Sequence, residues 1–474
     1  MQAATFKPTG LSIDSFTATG VRARIQGDFY MDASKVEKKP VRDLGRFGTW
    51  IAREVESGQS QVQVSLPEYG NVVLGTAEVP RIKVDVRNGH TTHVDFLSDL
   101  EPGNIDGVKR LAKDWLDGRL GELRVLGRAT VPIKSGLFSF GTQKITQSLL
   151  FSNKDVPAIP KYKIKDLKFH DVELPDLSTA MAADVVLEVE NDYPVDFTIP
   201  PLGFAILVDN CSPDDPYIQL ADATTPNIHI QPKTDLQLNV SGIVRKIPDS
   251  FRKACPGKHE SPMDQLLGNY IHGEDTTIHV RGSDSPSQDT PKWITDIVSD
   301  ITVPVPFPGH SFGHLIKNFS LADVHFRLPD PFAEPDSAES NPRISANIKA
   351  LIALPREMDL NISVGRVRAL ADVFYHGSKL GVLNLDKWQA ANSTRVEPKG
   401  EDGPTLLVQS LIDDAPLDIT DEDVFTDLLQ SLLFGGTRVL LTIKANVDVE
   451  LETALGQLAV RKIPAQGVVP VKRS

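Results

Sequence analysis

The chain has 474 residues, of which 40% are hydrophobic and 24% are charged, and its formal net charge at pH 7 is −13. At roughly 150 residues per domain, this length predicts about three domains rather than a single core. The negative charge disfavours contact with nucleic-acid phosphates, and therefore a role in rRNA processing. It also disfavours docking on anionic lipid headgroups, although it leaves the binding of a lipid tail open.

The first part of the chain combines strand patterns with one amphipathic helix. Apolar residues alternate with polar ones at Val62, Val64 and Leu66, and again at Ile82, Val84 and Val86. This period of two predicts strands with one buried face. A helical face follows at Val108, Leu111, Ala112, Trp115 and Leu116. Gly118 stands where this helix must end with a positive φ, and a further strand begins at Leu123.

The middle part of the chain repeats this plan, beginning with "IKDLKFHDVELPD" at Ile164. Alternation then predicts strands at Val185 to Val189, Val195 to Ile199, Phe204 to Val208, and Ile278 to Val280. The helical face consists of Met263, Leu266, Leu267, Tyr270 and Ile271. Ser261 is placed to cap this helix, Pro262 to begin it and Gly273 to end it.

The last part begins with "IKNFSLADVHFRLPD" at Ile316. Strands are predicted at Ile348 to Ile352, Met358 to Val364, and Val439 to Ile443. The helical face consists of Phe425, Leu428, Leu429, Leu432 and Leu433. Thr420 and the acids after it are suited to the start of this helix, and Gly435 to its end.

The segments at Ile164 and Ile316 align without gaps, and a weaker echo, "IDSFTATGV", begins at Ile13. We interpret them as the first strand of a duplicated domain, whose matched apolar positions belong to the core. The proline-rich stretches "SNKDVPAIPKYK" and "ITVPVPFPGHSF" are expected to be extended connectors or sheet edges. The prediction is a mainly β protein with three tandem antiparallel β-sandwich domains, each with one short α-helix near its end. We call residues 1–154 unit one, 155–308 unit two and 309–474 unit three.

Two features bear on the compartment in which the protein resides. Cys211 and Cys255 are the two cysteines of the chain, and they form either a disulfide in an oxidising lumen or two inert thiols in the cytosol. Asn-x-Ser/Thr sequons, about two of which are expected by chance, occur five times. As possible N-glycosylation sites they lie at Asn210, Asn239, Asn318, Asn361 and Asn392.

No stretch approaches about 18 uninterrupted apolar residues, and "MQAATFKPTG" lacks the pattern of a signal peptide. If the chain is complete as given, these two absences predict a cytosolic protein.

The motif search yields no catalytic, cofactor or metal candidate, so we expect no enzyme activity and no cofactor. His90 and His93 are three residues apart, which on a strand directs them to opposite faces and disfavours a shared metal. Asp214 and Asp215 could hold calcium, but an Asp-Pro cluster is more often a solvated turn. Scattered acids alone do not indicate a glycosidase.

The segment "VVLEVENDYPVDFTIPPLGFAI" resembles the type 2 late-embryogenesis-abundant (LEA-2) domain. The tandem arrangement is similar to that of a family of fungal vacuolar-membrane proteins with lumenal LEA-2/immunoglobulin-like repeats. The resemblance implies a single-pass protein on the lumenal side that takes part in terminating autophagy. The resemblance includes no catalytic motif, so it assigns no functional residue to this chain. Such a family has an N-terminal membrane anchor, which this chain does not contain, so membrane association is expected only through an anchor outside the chain.

Three functions are in competition at this stage. The first is a non-enzymatic lumenal interaction array with a protein partner of unknown identity. The second is a lipid-binding or lipid-transfer module, with an apolar groove lined in unit two by Phe204, Leu267 and Tyr270, although residues of this kind more often simply fill the core. The third, a vacuolar enzyme such as a glycan hydrolase, would need paired carboxylates in a cleft.

Overall fold

The computed structural model describes residues 4–136, 138–151, 159–193, 196–258, 260–284, 287–309, 316–328, 341–354, 357–396, 404–434 and 439–471. Within these ranges the protein is mainly β, with several antiparallel sheets and six α-helices. The predicted fold class is therefore confirmed. No helix in these ranges is long and apolar enough to cross a membrane.

The described part of unit one forms a nine-stranded sheet with two helices. Its elements are β1 (Ala4–Phe16), β2 (Val21–Met31), α1 (Lys39–Ala52), β3 (Glu54–Ser57), β4 (Ser60–Leu66), β5 (Val72–Val79), β6 (Ile82–Asp85), β7 (Thr91–Pro102), α2 (Ile105–Leu116), β8 (Leu123–Ser135) and β9 (Phe138–Phe151). The strand order is β1-β2-β7-β5-β4-β8-β3-β6, with β9 paired to β8.

Unit two contains a larger sheet, a two-stranded ribbon and three helices in its described residues. Its elements are β10 (Tyr162–Glu173), β11 (Thr179–Val189), β12 (Phe197–Ile199), β13 (Gly203–Asp209), β14 (Tyr217–Thr224), β15 (Ile228–Ile230), β16 (Leu236–Val244), α3 (Asp249–Arg252), α4 (Pro262–Ile271), β17 (Thr276–Ser283), α5 (Lys292–Val298) and β18 (Thr302–Phe307). The ribbon is β12-β15, and the sheet runs β18-β17-β13-β14-β16-β11-β10. Pro304 and Pro306 lie on the edge strand β18, where a missing N–H is tolerated.

Unit three has one short two-residue strand, seven longer strands and one helix in its described residues. They are β19 (Ile316–Arg327), β20 (Arg343–Ala353), β21 (Met358–Asp359), β22 (Ser363–Tyr375), β23 (Ser378–Val396), β24 (Thr405–Ile419), α6 (Glu422–Phe434), β25 (Val439–Thr453) and β26 (Gly456–Val471). The long strands run β19-β20-β24-β23-β22-β25-β26. Along β25, Val439, Leu441 and Ile443 are buried while Leu440 is exposed, which is the alternation read from the sequence.

The three echoed segments are the opening strands β1, β10 and β19, each paired with the next strand in the chain. Each opening strand also has a register shift at the same place in the echo, immediately after Ile13, Ile164 and Ile316. A bulge that recurs at a matched position is a property of a copied unit, because bulges persist within a family of related structures.

The three predicted helices are present as α2, α4 and α6, and α1, α3 and α5 are additional. Ser261 and Asp264 form a complete capping box at the start of α4, and Gly118 and Gly273 have the positive φ expected after α2 and α4. At the start of α6, the cap is Asp421 rather than Thr420, since the Asp421 carboxylate accepts from the amides of Asp423 and Val424. Gly435 lies outside the described residues.

Candidate functional site: the junctions between units

The first junction joins the opening strand of unit one to the turn region of unit two. The amide of Ile13 in β1 donates to the carbonyl of Asp196 at 2.9 Å, and Ser12 and Asp196 form an isolated parallel bridge. The helix α5 of unit two packs against α2 of unit one, where Lys109 forms an ion pair with Asp300. Backbone bonding and helix packing thus hold the two units together.

Trp293 on α5 closes one side of a cavity in unit one. Its indole N–H donates to the carbonyl of Thr17 at 3.0 Å, and its ring lies 6.1 Å from that of Phe16. The cavity has a volume of about 390 Å³ and is lined mostly by apolar side chains of β1, β2, β4, β5 and β7, with Ile13 and Leu100 among them. A residue of unit two therefore completes an apolar space in unit one.

The second junction repeats the backbone bond of the first. The amide of Phe169 in β10 donates to the carbonyl of Glu357 at 2.6 Å, and β21 of unit three pairs in parallel with β10. The amide of Asn361 also donates to the Asp171 carboxylate at 2.9 Å. The short strand β21 therefore extends the sheet of unit two.

Asp196 and Glu357 occupy matched sequence positions. Each is the second residue after a proline in the sequence, in "YPVD" and "LPRE", and each accepts a hydrogen bond from the opening strand of the preceding unit. Both prolines, Pro194 and Pro355, lie outside the described residues. At both junctions the opening strand donates a backbone hydrogen bond to the next unit, although the donor Phe169 lies five positions beyond Ile164, the residue that matches Ile13.

Helix α4 supplies the side chains of the second junction. Asp264 forms an ion pair with Arg461 at 2.9 Å, and Glu260, just before the helix, pairs with Lys462 at 2.8 Å. The hydrogen bond from Lys462 lowers the pKa of Glu260 below its ordinary value. Asp264 is mostly buried and also belongs to the capping box of α4, so one carboxylate both starts the helix and binds the next unit.

Tyr270, near the end of α4, is buried at the same junction. Its hydroxyl donates to a carboxylate oxygen of Glu357 at 3.1 Å. Burial first, and then the nearby Glu357 carboxylate, raises the pKa of Tyr270 above its ordinary value of 10.0. The phenol is therefore a neutral hydrogen-bond donor between the units at physiological pH.

The opening strand of unit three has a different neighbour. β19 lies beside β26 of its own unit, and the ring of Phe319 sits against Gly467, where a Cβ would come within 2.6 Å of it. The opening strand of unit three thus packs against the final described strand of its own unit.

The residues predicted to line a groove lie on two elements, β13 and α4. Leu267 and Tyr270 lie on α4 at the second junction, where Leu267 packs against apolar clusters of both units. Phe204 is half-buried in β13, in register with Ala223 and Gly282, and its neighbours Ala205 and Leu207 are the fully buried positions. A lipid groove built from these three residues stays a prediction.

The two cysteines are joined in a disulfide, with Cα atoms 5.4 Å apart. Cys211 follows β13, and Cys255 follows α3. The bond closes a loop between positions 44 residues apart and ties the β13–β14 connection to the segment before α4.

Of the five sequon asparagines, Asn239, Asn361 and Asn392 are exposed and Asn210 is half-buried. The side-chain amide of Asn210 donates to the backbone carbonyl of Asp215 at 2.8 Å. The side chain of Asn318 lies outside what the structure describes. Whether any of them carries a glycan stays a prediction.

The weaker metal candidates of the sequence lie at separate places. His93 contacts Asp28 at 3.1 Å, whereas His90 lies 3.5 Å from Asp85. Asp214 and Asp215 are exposed in the turn before β14. Across the described ranges, no group of three or more His, Cys, Asp or Glu residues could hold a metal ion.

Sequence reasoning missed the residues that build the junctions. Asp264 and Arg461 are 197 residues apart, and Trp293 was not singled out by any pattern. One signal was available, because an acid follows the turn proline by two residues in both unit two and unit three. Aligning the turns as well as the opening strands would have marked Asp196 and Glu357.

The fold and its junctions define a class of protein, a tandem array of immunoglobulin-like β domains. Residues 4–155 match the family described as "Tag1-like, first Ig-like domain", and residues 358–472 match the "Tag1 C-terminal domain". These two matches support a Tag1-like protein with Ig-like repeats. Neither description is that of a catalytic family.

No curated protein matches the chain. Among solved structures, a "Biofilm associated protein - BSP domain" is 9% identical, covering 99% of this chain and 81% of the other, with a TM-score of 0.13. A "Biofilm associated protein - B domain" is 8% identical over 65% of this chain and 85% of the other, with a TM-score of 0.14. At these TM-scores neither likeness carries an argument.

Proposed function

We propose that the chain is a non-enzymatic interaction array, which presents Ig-like units in a fixed order to a macromolecular partner. The observation that carries this proposal is the repeated junction, in which the opening strand of one unit binds the turn region of the next. Units joined by backbone hydrogen bonds and buried side chains hold a set spacing, which flexible linkers do not. A set spacing suits a partner that contacts two units at once.

Charge reversal at the second junction tests this proposal. The double variant Arg461→Glu/Lys462→Glu places acids opposite Asp264 and Glu260, while both substituted side chains are partly exposed in unit three. We expect small-angle scattering to show a single extended shape for the wild type and a broader range of sizes for the variant. A matched control is Arg327→Glu/Lys379→Glu, which changes the charge equally but breaks pairs within unit three.

Cross-linking mass spectrometry then tests the link to a partner. A partner whose cross-links reach units two and three together in the wild type and in the control, and only one of them in the junction variant, would support the array. If the junction variant bound the partner as tightly as the wild type, the set spacing between units two and three would be irrelevant to binding.

We further propose that the array acts in the lumen of the fungal vacuole and contributes to ending autophagy. The resemblance to anchored LEA-2/Ig-like proteins supports this proposal, as do the disulfide between Cys211 and Cys255 and the exposed sequon asparagines. The test is a fungal strain lacking its corresponding gene, followed through starvation and refeeding. Prolonged autophagy that the wild-type chain shortens and the junction variant does not would support the role, and a deletion without effect would refute it.

A second candidate function, lipid binding, is favoured by the cavity of about 390 Å³ in unit one. Its volume lies at the lower end of the range for small-molecule pockets, and its lining is mostly apolar. Organic extracts of the purified protein, analysed by mass spectrometry, are expected to contain a lipid near one equivalent. The variant Ala77→Trp, which fills the cavity from β5, should abolish that signal; a lipid retained by this variant would refute binding in this cavity.

A further inference from the structure

Helix α1 presents its apolar side to solvent. Val41, Leu44 and Phe47 recur at helical spacing, and their exposed fractions are 57%, 73% and 61%. Trp50 is also exposed, with its ring 6.4 Å from that of Phe47. A surface helix of a globular domain normally turns such a stripe toward the core, so the orientation of α1 is inverted.

The side of α1 that faces the protein is the polar one. Arg42 and Thr49 are only partly exposed, whereas the apolar residues between them along the chain are open to solvent. The end of the helix is held in place, because the Ser135 hydroxyl lies 3.0 Å from the carbonyl of Ala52 and can donate to it, and the Val86 amide donates to Arg53 at 2.9 Å. The outward stripe therefore belongs to an anchored helix.

A second apolar feature lies beside the end of α1. The β8–β9 hairpin carries Phe138 and Phe140 near its tip, with exposed fractions of 75% and 53%. Phe138 is the cross-strand partner of Ser135, the same residue that contacts the last turn of α1. Two separate elements thus place exposed aromatic rings at one end of unit one. We call Val41, Leu44, Phe47, Trp50, Phe138 and Phe140 the aromatic end.

The charge around the aromatic end is opposite to that of the whole chain. From Glu37 to Glu54 there are five Lys or Arg residues and three acids, a net positive segment in a chain with a net charge of −13. Lys38, Lys39, Arg46 and Arg53 are exposed. Because the Debye length is about 8 Å at physiological ionic strength, this local cationic excess acts at a surface without being cancelled by distant acids.

We propose that α1 and the β8–β9 tip dock unit one on the surface of an anionic lipid bilayer. The apolar stripe of α1 would lie at the boundary of headgroups and acyl chains, and the flanking Lys and Arg would contact lipid phosphates. The two Phe rings of the hairpin would enter beside the helix. This docking is independent of the proposed array and of the cavity, since none of the aromatic end lines either of them.

Vesicle flotation with the purified full chain tests the proposal. We expect binding to vesicles of phosphatidylcholine mixed with phosphatidylserine, and little binding to phosphatidylcholine alone. The variants Leu44→Glu and Phe47→Glu should abolish it. Lys39→Ala and Arg46→Ala should weaken it by about fivefold each, as expected for one cation near an anionic surface, and high salt should weaken it further. Leu411→Glu, a substitution at a residue of 57% exposure in unit three, is the matched control and should bind like the wild type.

Trp50 fluorescence supplies a second readout. Anionic vesicles should shift the emission of the wild type to shorter wavelength, and Trp50→Phe should remove that shift. Equal binding to both vesicle types, or binding unchanged in Leu44→Glu, would overturn the proposal. So would a dimer seen by sedimentation velocity that Leu44→Glu dissolves, without any vesicle binding, because the face would then be an interface between two copies of the chain.

Discussion

Units one and three each have an echoed opening strand and one of the predicted helices, α2 in unit one and α6 in unit three, yet their interiors are packed differently. Among the described residues, five apolar side chains are buried in unit one and thirty in unit three. Those of unit three form two clusters, one around Leu380, Leu417 and Leu428, and the other reaching the second junction. Unit one instead has a cavity and an outward apolar helix.

Because of this difference, we expect unit three to be the more stable unit and unit one to carry the surfaces available for binding. A dense core resists opening, whereas a unit with few fully buried contacts opens at lower free energy. The features that could meet a ligand or a membrane lie in the loosely packed unit one, whereas the densely packed unit three has neither a comparable cavity nor an outward apolar helix among its described residues. Copies of one domain can thus take different roles through packing alone.

Matched leucine truncations test the contrast most directly. Leu417 and Leu66 are both 0% exposed, in unit three and unit one respectively. We expect Leu417→Ala to cost about 4 kcal/mol and Leu66→Ala about 2–3 kcal/mol, since the sparser buried apolar surroundings of unit one can relax further around the missing side chain. Hydrogen exchange in a denaturant series, read separately for each unit, measures both values. Equal costs would mean that the two interiors are packed alike.

Unit two occupies an intermediate place, with its small core supported by the disulfide. Removing the bond with Cys211→Ser/Cys255→Ser should lower its unfolding free energy by about 3–4 kcal/mol, the value expected for a loop of this length. The protection of unit two against hydrogen exchange would then approach that of unit one. Reductant should destabilise the wild type in the same way and have no further effect on the variant. A wild type insensitive to reductant would show that the bond does not support the unit.

Much of the local structure could be predicted from the sequence. Ser261, Pro262 and Asp264 announce α4, because a capping hydroxyl, a proline and an acid occupy the positions that a helix start favours. The opening strands follow from repeated apolar positions, and Pro304 and Pro306 predict an edge. In each case the signal lies within a few residues of the element.

The unpredicted parts depend on distant residues or on an inverted pattern. Arg461 meets Asp264 only after two units have folded and docked. Helix α1 contains Gly45 and Gly48 in its interior, which weaken its helical signal. Its apolar stripe would also be assigned to a core, since periodicity reveals a face without revealing what covers it.

Tyr270 tests whether the dense unit three stabilises its neighbour through the junction. Tyr270→Phe removes the hydrogen bond to Glu357 and should cost about 1–2 kcal/mol in the coupling of units two and three. Because the pKa of Tyr270 is raised in the folded state, the wild type should lose stability as pH rises above about 10, where the unfolded phenol ionises. The variant should lose less. Tyr375→Phe, which removes a hydrogen bond to Ser431 inside unit three, should weaken that unit alone.

The smallest expected effect is on the acid stability of unit one and comes from Asp85. Hydrogen bonds from Arg87 lower its pKa to about 2 in the folded state, from an ordinary 3.8. A lowered pKa stabilises the fold at pH values above the ordinary one, so this contribution should fade as pH drops from about 4 toward 2. Because the Arg87 side chain is 43% exposed and the pair is screened by solvent, we expect only about 0.5 kcal/mol. Asp85→Asn should flatten the acid side of the unit-one profile, whereas Asp372→Asn, at a surface pair of unit three, should leave it unchanged. If an NMR titration gave Asp85 a pKa near its ordinary value of 3.8, the pair of Asp85 and Arg87 would not be formed in solution. Unit one would then lack this surface contact as well as a dense core.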